Sequence, residues 1–229
     1  MIQNYRYILI LFFSICSFVF TSLIHAKEFL SPEELENWFN SDDELPTTKV
    51  NGGQLKFLAS KPTKKTFHSV INVTLNQNSI DNGWVTLTQC YKNLDPIRRT
   101  AIVYRKNLLK DLTVISSTNI KTAEVSGNKV FLQDVAKNAS LCVSLKSRTF
   151  YQNKDLSFSL VNGPYHRKFL DGYYPYHLNL NVHYDPTLKF KYSLPKSQPG
   201  FDIKQQSNSL LIDTLFEGRL KTEFRFTLK

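Results

Sequence analysis

Apolar and polar residues alternate with a period of two along much of the chain after residue 69. Five segments carry the pattern most clearly, and they begin at Ile71, Val85, Leu141, Leu178 and Phe224. Successive side chains of a β-strand point to opposite faces, so the alternation gives each segment one buried and one solvated face. This arrangement is typical of antiparallel sheets. The pattern therefore predicts a chain dominated by strands.

Turn signals separate the predicted strands. Three of them stand between apolar runs at hairpin distance, namely Gly127-Asn128, Asp185-Pro186 and Glu217-Gly218. Roughly ten short strands joined by such turns predict a mainly β fold. We expect either an antiparallel β-sandwich or a partly closed barrel, with a short N-terminal helix.

The first 26 residues have the organisation of a secretory signal. Met1 to Arg6 form a short positive start, residues 7–24 form an apolar run, and Ala26 is a small residue at the expected cleavage position. The pattern predicts a signal peptide over 1–26 and a periplasmic or extracellular protein. The apolar run also reaches the lower limit of a membrane-spanning helix, about 17 residues. A membrane anchor formed by residues 7–24 is therefore the alternative.

Residues 27–66 are predicted to form a short amphipathic helix followed by a polar tether. Ser31 is suited to the N-cap, and Pro32 to the first position of the helix. The polar stretch that follows contains one possible short strand at Leu55 to Leu58. The antiparallel β domain is then expected to occupy residues 67–229.

Two cysteines remain if the signal is removed, because Cys16 lies within it. An even number of cysteines in an exported protein predicts a disulfide, here between Cys90 and Cys142. A redox pair or a metal site would be expected to show a C-x-x-C spacing, which is absent. Trp84 precedes both cysteines, so their order does not match an immunoglobulin domain.

The chain has a formal net charge of +10. Its densest basic patch consists of Arg98, Arg99, Arg105, Lys106 and Lys110. A basic exported domain attracts anions, which suggests an anionic envelope polymer, a lipid headgroup or an envelope protein as the partner. An ordinary solvated surface explains the same charge. Export argues against nucleic acid, and membrane contact is expected only through an uncleaved N-terminal segment.

Residues 162–177 interrupt the alternation and are too long for a simple turn. The candidate ligand-binding residues in this segment are Tyr165, His166, Arg167, Lys168, Asp171, Tyr173, Tyr174 and Tyr176. Tyrosine and arginine are enriched in binding hot spots, so the segment is a candidate recognition loop for a sugar, a peptide or an anion. A crossover between two sheets, held by its own aromatic residues, explains the same composition. Both interpretations remain open.

Catalysis has little support in the sequence. His166 and Asp171 lie on one predicted loop and could form an acid–base pair, but no nucleophile motif accompanies them. His177 and His183 face the same side of one predicted strand about 20 Å apart, which is too far for one metal ion. We therefore predict no catalytic residue, no metal site and no cofactor.

Two stretches of the chain resemble a group of uncharacterised exported proteins of proteobacteria. The resemblance rests on Gln89-Cys90-Tyr91 with Asn93-Leu94-Asp95-Pro96, and on Val161-Asn162-Gly163-Pro164 through Gly172-Tyr173-Tyr174-Pro175. It covers roughly residues 80–200 and implies a periplasmic or envelope location. It implies no activity, cofactor or catalytic residue.

Together these features predict an exported, envelope-associated β domain that binds or scaffolds a partner and is not an enzyme. The 162–177 segment and the predicted helix around Trp38 are its candidate contact regions. A small outer-membrane β-barrel is the first alternative, and a hydrolase using His166 and Asp171 is the second. The ligand does not follow from the sequence.

Overall fold

A computed structural model describes residues 51–59 and 66–229. The predicted signal segment and N-terminal helix lie outside these residues. The strands are β1 (Lys56–Phe57), β2 (His68–Thr74), β3 (Trp84–Leu94), β4 (Ile97–Val103), β5 (Leu109–Ser126), β6 (Lys129–Arg148), β7 (Phe150–Gln152), β8 (Phe158–Tyr165), β9 (Lys168–Phe169), β10 (Gly172–Tyr173), β11 (Tyr176–His183), β12 (Leu188–Leu194), β13 (Phe201–Gln206), β14 (Ser209–Glu217) and β15 (Leu220–Leu228). One α-helix, α1 (Gln77–Asn82), and one 3₁₀ turn (Lys106–Leu108) accompany them in the described residues.

A large sheet of nine strands forms one layer of the domain. Its central order is β14, β11, β2, β3 and β6, with β5 on the far edge of β6. β13 and β1 follow one another along the free edge of β14, and β4 continues β3 along β6. The strand pairs of the described residues are antiparallel except β2 and β11, which run parallel.

A small sheet of four strands, in the order β12, β15, β8 and β7, forms the second layer. The apolar faces of both sheets belong to one continuous core. For example, the ring of Tyr184, just after β11, lies 5.1 Å from that of Phe226 on β15. None of the sheets in the described residues closes on itself. The mainly β, sandwich-like prediction is therefore confirmed, and the partly closed barrel is not observed.

Two of the three predicted hairpin turns change sheets instead. Gly127-Asn128 joins β5 to β6 in a long hairpin, as predicted. Asp185-Pro186 leads from β11 in the large sheet to β12 in the small sheet, and Glu217-Gly218 leads from β14 to β15 in the same direction. The hairpin prediction was wrong at these two turns, because a sharp turn between alternating strands also serves a corner of a sandwich.

The stretch before residue 66 contributes to the sandwich. The possible strand at Leu55 to Leu58 is confirmed as β1, which pairs with the end of β14. Its Phe57 ring lies 5.1 Å from the buried Phe201 ring.

No helix in residues 51–59 and 66–229 is long and apolar enough to cross a membrane.

The predicted disulfide is present between Cys90 and Cys142. These residues are direct partners in the register of β3 and β6. Their neighbours Tyr91 and Leu141 point into the core, so the cysteines lie on the opposite face of the large sheet. We call this face, which points away from the small sheet, the outer face of the large sheet.

Candidate functional site

The 162–177 segment connects the two layers of the sandwich. It begins in β8 of the small sheet and ends in β11 of the large sheet, so the crossover interpretation describes its path. Between these strands it forms the hairpin β9–β10, in which Lys168 pairs with Tyr173 and Phe169 with Gly172. The segment is thus an ordered hairpin that projects from the crossover.

An ion pair fastens this hairpin to the turn between β3 and β4. The guanidinium of Arg167 donates to both carboxylate oxygens of Asp95, with Nη2 2.6 Å from Oδ1 and Nε 3.1 Å from Oδ2. The same guanidinium lies 5.1 Å from the ring of Phe169 and 5.5 Å from that of Tyr174. Arg167 therefore holds the hairpin in place and does not offer its charge freely to an anion.

Further contacts fix the remaining residues of the hairpin. The hydroxyl of Tyr174 donates to the carboxylate of Asp171, which raises the pKa of this tyrosine. The ammonium of Lys168 lies 5.8 Å from the centre of the Tyr173 ring. That ring packs against Gly53, where a Cβ would lie only 3.0 Å from it.

Exposed apolar side chains and two cations, of which Lys168 is half-buried, lie close in sequence to Arg167 and Asp95. Leu170 at the hairpin tip is 75% exposed, and Ile97 at the start of β4 is 44% exposed. Arg98, beside Ile97, is also exposed. We call the surface formed by Ile97, Arg98, Lys168 and Leu170 the hairpin–turn surface.

Of the candidate tyrosines, Tyr176 belongs to the core and Tyr165 is partly buried against it. Tyr176 is 4% exposed, and its hydroxyl accepts a hydrogen bond of 2.9 Å from Ser69. Tyr165 packs beside it, with ring centres 6.4 Å apart. Burial strongly raises the pKa of both tyrosines, so their hydroxyls stay protonated. Their position indicates a structural role for these two residues.

His166 and Asp171 are not paired in the structure. The imidazole of His166 lies edge-on to the ring of Tyr173, with centres 5.9 Å apart, whereas the carboxylate of Asp171 accepts from Tyr174. The Nδ1 atom of His166 is buried without a hydrogen-bond partner. Burial lowers the pKa of His166, and the positive charges of Arg219 and Lys168 lower it further, against the opposing effect of the Pro164 backbone.

A second polar cluster lies on the outer face of the large sheet and was missed in the sequence. The rings of His68 and His177 stack 4.1 Å apart, because these residues are register partners on β2 and β11. Nε2 of His177 lies 2.6 Å from Oδ1 of Asp213, and Nε2 of His68 lies 2.5 Å from Oδ1 of Asn179. Only the pairing of three strands far apart in sequence brings these four residues together.

Hydrogen bonds to Asn179 and Asp213 hold the two histidines of this cluster in fixed positions on the surface. Burial lowers the pKa of His68, and the nearby His177 and Lys92 lower it further, against the opposing effects of Asn179 and Asp213. Among the described residues, no group of three or more His, Cys, Asp and Glu side chains is placed to hold a metal ion. Its side chains satisfy one another, so the cluster presents a fixed polar surface.

Comparisons with known proteins assign no family. No family model and no curated protein matches the sequence. Among solved structures, the chain is similar to an M1 zinc metallopeptidase variant from Deinococcus radiodurans bound to a Tyr-Ser-Ala substrate, with 8% identity and a TM-score of 0.41. A two-domain M1 zinc metallopeptidase variant bound to L-tryptophan gives 12% identity and a TM-score of 0.39. The matches cover 78% and 76% of this chain but only 43% of each metallopeptidase chain.

Proposed function

We propose that the protein is an exported, envelope-associated β domain that binds phosphate-bearing envelope material through the hairpin–turn surface. The observation that carries the proposal is the two-point ion pair between Arg167 and Asp95. It holds a protruding hairpin in one orientation, which reduces the entropy that binding must remove. The domain would act as a binding or scaffolding module and not as an enzyme.

The composition of the hairpin–turn surface suggests the partner. Leu170 and Ile97 are large apolar side chains exposed to water. The exposed Arg98 follows Ile97 in β4, and the half-buried Lys168 lies two residues before Leu170 in the hairpin. Exposed apolar residues among cations are typical of sites that contact an anionic lipid surface. A phosphate-bearing polymer would provide the same negative charge, but it has no apolar region in which Leu170 and Ile97 could be buried. The apolar side chains therefore favour a lipid surface.

Export has support from two features of the chain. The first 26 residues have the pattern of a secretory signal, and Cys90 is bonded to Cys142. Disulfides persist mainly in oxidising compartments outside the cytosol. The resemblance to exported proteins of proteobacteria points to the same location.

The geometry gives less support to the hydrolase alternative. A general acid–base pair needs its two groups within hydrogen-bonding reach, directly or through one water. Asp171 already accepts a hydrogen bond from Tyr174, and His166 contacts Tyr173 instead of the carboxylate.

Co-sedimentation with phosphatidylglycerol vesicles would test the binding proposal. Leu170→Ser should weaken retention about tenfold, since burying a leucine side chain contributes about 1.5–3 kcal/mol. Leu156→Ser is the matched control, because Leu156 is 72% exposed on the turn between β7 and β8. Equal losses in the two variants would contradict the proposal.

A charge series distinguishes lipid from polymer. Arg98→Gln with Lys168→Gln should weaken vesicle binding about thirtyfold, at about 1 kcal/mol per cation near an anionic surface. Lys110→Gln with Lys204→Gln removes the same charge from β5 and β13 and should have little effect. Soluble polyphosphate forms the second arm of the experiment. Tighter binding to polyphosphate than to vesicles would identify the polymer as the source of phosphate, and binding to neither would refute the proposal.

A further inference from the structure

The outer face of the small sheet, which points away from the large sheet, carries a row of side chains across all four strands. In the register of the sheet, Tyr192 on β12 lies opposite Arg225 on β15, Arg225 opposite Ser159 on β8, and Ser159 opposite Tyr151 on β7. Three strand spacings separate the two tyrosines, a distance of about 14 Å. The row thus ends in an aromatic ring on each side.

A polar network holds the middle of the row. The guanidinium of Arg225 donates to Oε1 of Glu223 at 2.9 Å and to Oγ of Ser157 at 3.0 Å. The hydroxyl of Ser159 donates to the same Glu223 oxygen at 2.8 Å. Arg225 also lies 5.8 Å from the centre of the Tyr192 ring, and it is only 20% exposed. The two terminal nitrogens of Arg225 are thus engaged, whereas its Nε is buried without a hydrogen-bond partner. The network holds the guanidinium next to the Tyr192 ring.

The ends of the row are open to solvent. Tyr151 is 49% exposed and Tyr192 is 45% exposed, and Leu194, next to Tyr192 on the same face, is 46% exposed. Large apolar side chains that share one face of a sheet indicate an interaction surface, whereas scattered ones do not. No described strand pairs with the outer edge of β12 or β7 to extend this face. On β7, the amide of Phe150 donates to the carbonyl of Gly83, the residue that ends α1.

The charge around the row is positive. Lys189 and Lys221 are exposed on this face, and Lys191 is exposed at the bulge of β12 beside Tyr192. In the described part of the chain, no carboxylate forms a salt bridge with these three lysines. The carboxylate of Glu223 is engaged by Arg225, and that of Asp155 accepts from Ser157. The face therefore complements a ligand with several negative charges.

A shallow cleft of about 240 Å³ adjoins Tyr192 at the open side of the sandwich. It lies between β12 and β13, and Ile203 contributes an apolar wall while Lys196 and Gln205 contribute polar ones. Because Tyr192 also lines the cleft, the cleft extends the row of side chains beyond the β12 edge of the small sheet. A ligand longer than the row can therefore extend beyond Tyr192.

We propose that the outer face of the small sheet binds an acidic oligosaccharide whose charges are carboxylates, as in a polyuronate. Tyr151 and Tyr192 would stack on the C–H faces of two sugar rings, and the three lysines would pair with the carboxylates between and beside them. Aromatic rings at a fixed separation favour a stiff chain of pyranose rings, which repeats its C–H faces at fixed intervals, over a flexible peptide. This site is separate from the hairpin–turn surface, so its test does not depend on phosphate binding.

Titration of the folded protein with an alginate hexasaccharide, followed by NMR and calorimetry, tests the proposal. Tyr192→Ala should weaken binding by about tenfold or more, whereas Tyr192→Phe should retain it because the ring remains. The triple change Lys189→Gln, Lys191→Gln and Lys221→Gln should weaken binding and flatten its dependence on salt. Ile115→Ala, at a 56% exposed position on β5 of the large sheet, is the control and should bind like the wild type. A melting curve of each variant checks its fold.

Several results would overturn the proposal. These are absence of binding at millimolar hexasaccharide, equal binding of neutral cellohexaose, or tighter binding of single-stranded DNA of similar length. Binding that Tyr192→Ala leaves unchanged but Leu170→Ser abolishes would place the site on the hairpin instead. Light scattering provides the last check, because a dimer that Tyr192→Ala dissociates would identify a second copy of the chain as the occupant.

Discussion

Cys90 and Cys142 lie directly opposite each other on antiparallel strands, with their Cα atoms 4.0 Å apart, and their disulfide faces away from the core. The bond joins residues separated by 52 positions in the sequence. It therefore acts mainly on the unfolded chain, in which it closes a long loop, and not on the packing of the sandwich.

Removing this disulfide should lower stability without changing the fold. The chain-entropy estimate for a loop of this length is about 4 kcal/mol, so we expect Cys90→Ala with Cys142→Ala to lower the free energy of unfolding by about 3–4 kcal/mol. Urea denaturation of the variant, and of the wild type with and without reductant, measures the change. Two titratable thiols in protein that begins at Lys27 would contradict the bond.

The ion pair between Arg167 and Asp95 should contribute modestly to stability. The arginine side chain is 20% exposed and the carboxylate is 40% exposed, so solvent screens part of their attraction. A double-mutant cycle with Arg167→Gln and Asp95→Asn should give a coupling of about 0.5–1 kcal/mol. High salt should reduce it. A coupling near zero would show that the pair does not hold the hairpin.

The strands could be predicted from the sequence because the alternation that marks them lies within each segment and does not depend on which strands pair. Alternation at Ile71, Leu178 and Phe224 reports which side chains are buried, and burial in a two-layer sandwich has a period of two. The disulfide followed from the even number of cysteines that remain after the predicted signal segment. The parallel pairing of β2 with β11 did not follow, because alternation is the same in parallel and antiparallel strands of this kind.

Helix α1 was missed although its signals are present. Asn76 caps it by accepting from the amide of Ser79, whose hydroxyl accepts from the amide of Asn76, and Gly83 ends it in the left-handed region. The six-residue helix is too short for helical periodicity to stand out. The histidine cluster and the tyrosine row were missed for another reason, because only the register of distant strands places their members side by side.

Gly218 should be the glycine least tolerant of substitution in the corner between the sheets. Its φ is +84°, and an added Cβ would lie 2.2 Å from the carbonyl oxygen of Gln54. We expect Gly218→Ala to lower the free energy of unfolding by more than about 2 kcal/mol, which thermal and urea denaturation would measure. Gly127→Ala is the control, because Gly127 has a φ of +58° and open space around its Cβ. This control should lose only about 1 kcal/mol. Equal losses would show that the close approach to Gln54 does not matter.

Acid should destabilise the fold partly through His166. Burial, Arg219 and Lys168 lower the pKa of this imidazole in the folded protein, while the unfolded chain has a value of about 6.5. Below about pH 6.5 the unfolded chain therefore binds a proton that the folded protein binds less readily. The free energy of unfolding therefore falls as the pH falls below the unfolded pKa of about 6.5. Above that pH, the stability that depends on a neutral His166 is fully present. His68, whose pKa is also lowered chiefly by burial, acts in the same direction.

Replacing His166 should reduce this pH dependence. His166→Phe removes the titrating group and also the buried Nδ1 atom that has no hydrogen-bond partner. We therefore expect the melting temperature of the variant to fall less than that of the wild type between pH 7.5 and pH 5.5. The slope of stability against pH distinguishes this effect from a general change in packing, which would shift all pH values alike. Ile115→Ala, at an exposed position on β5, removes no titrating group and should keep the wild-type slope. An unchanged slope in His166→Phe would show that this imidazole is not linked to folding.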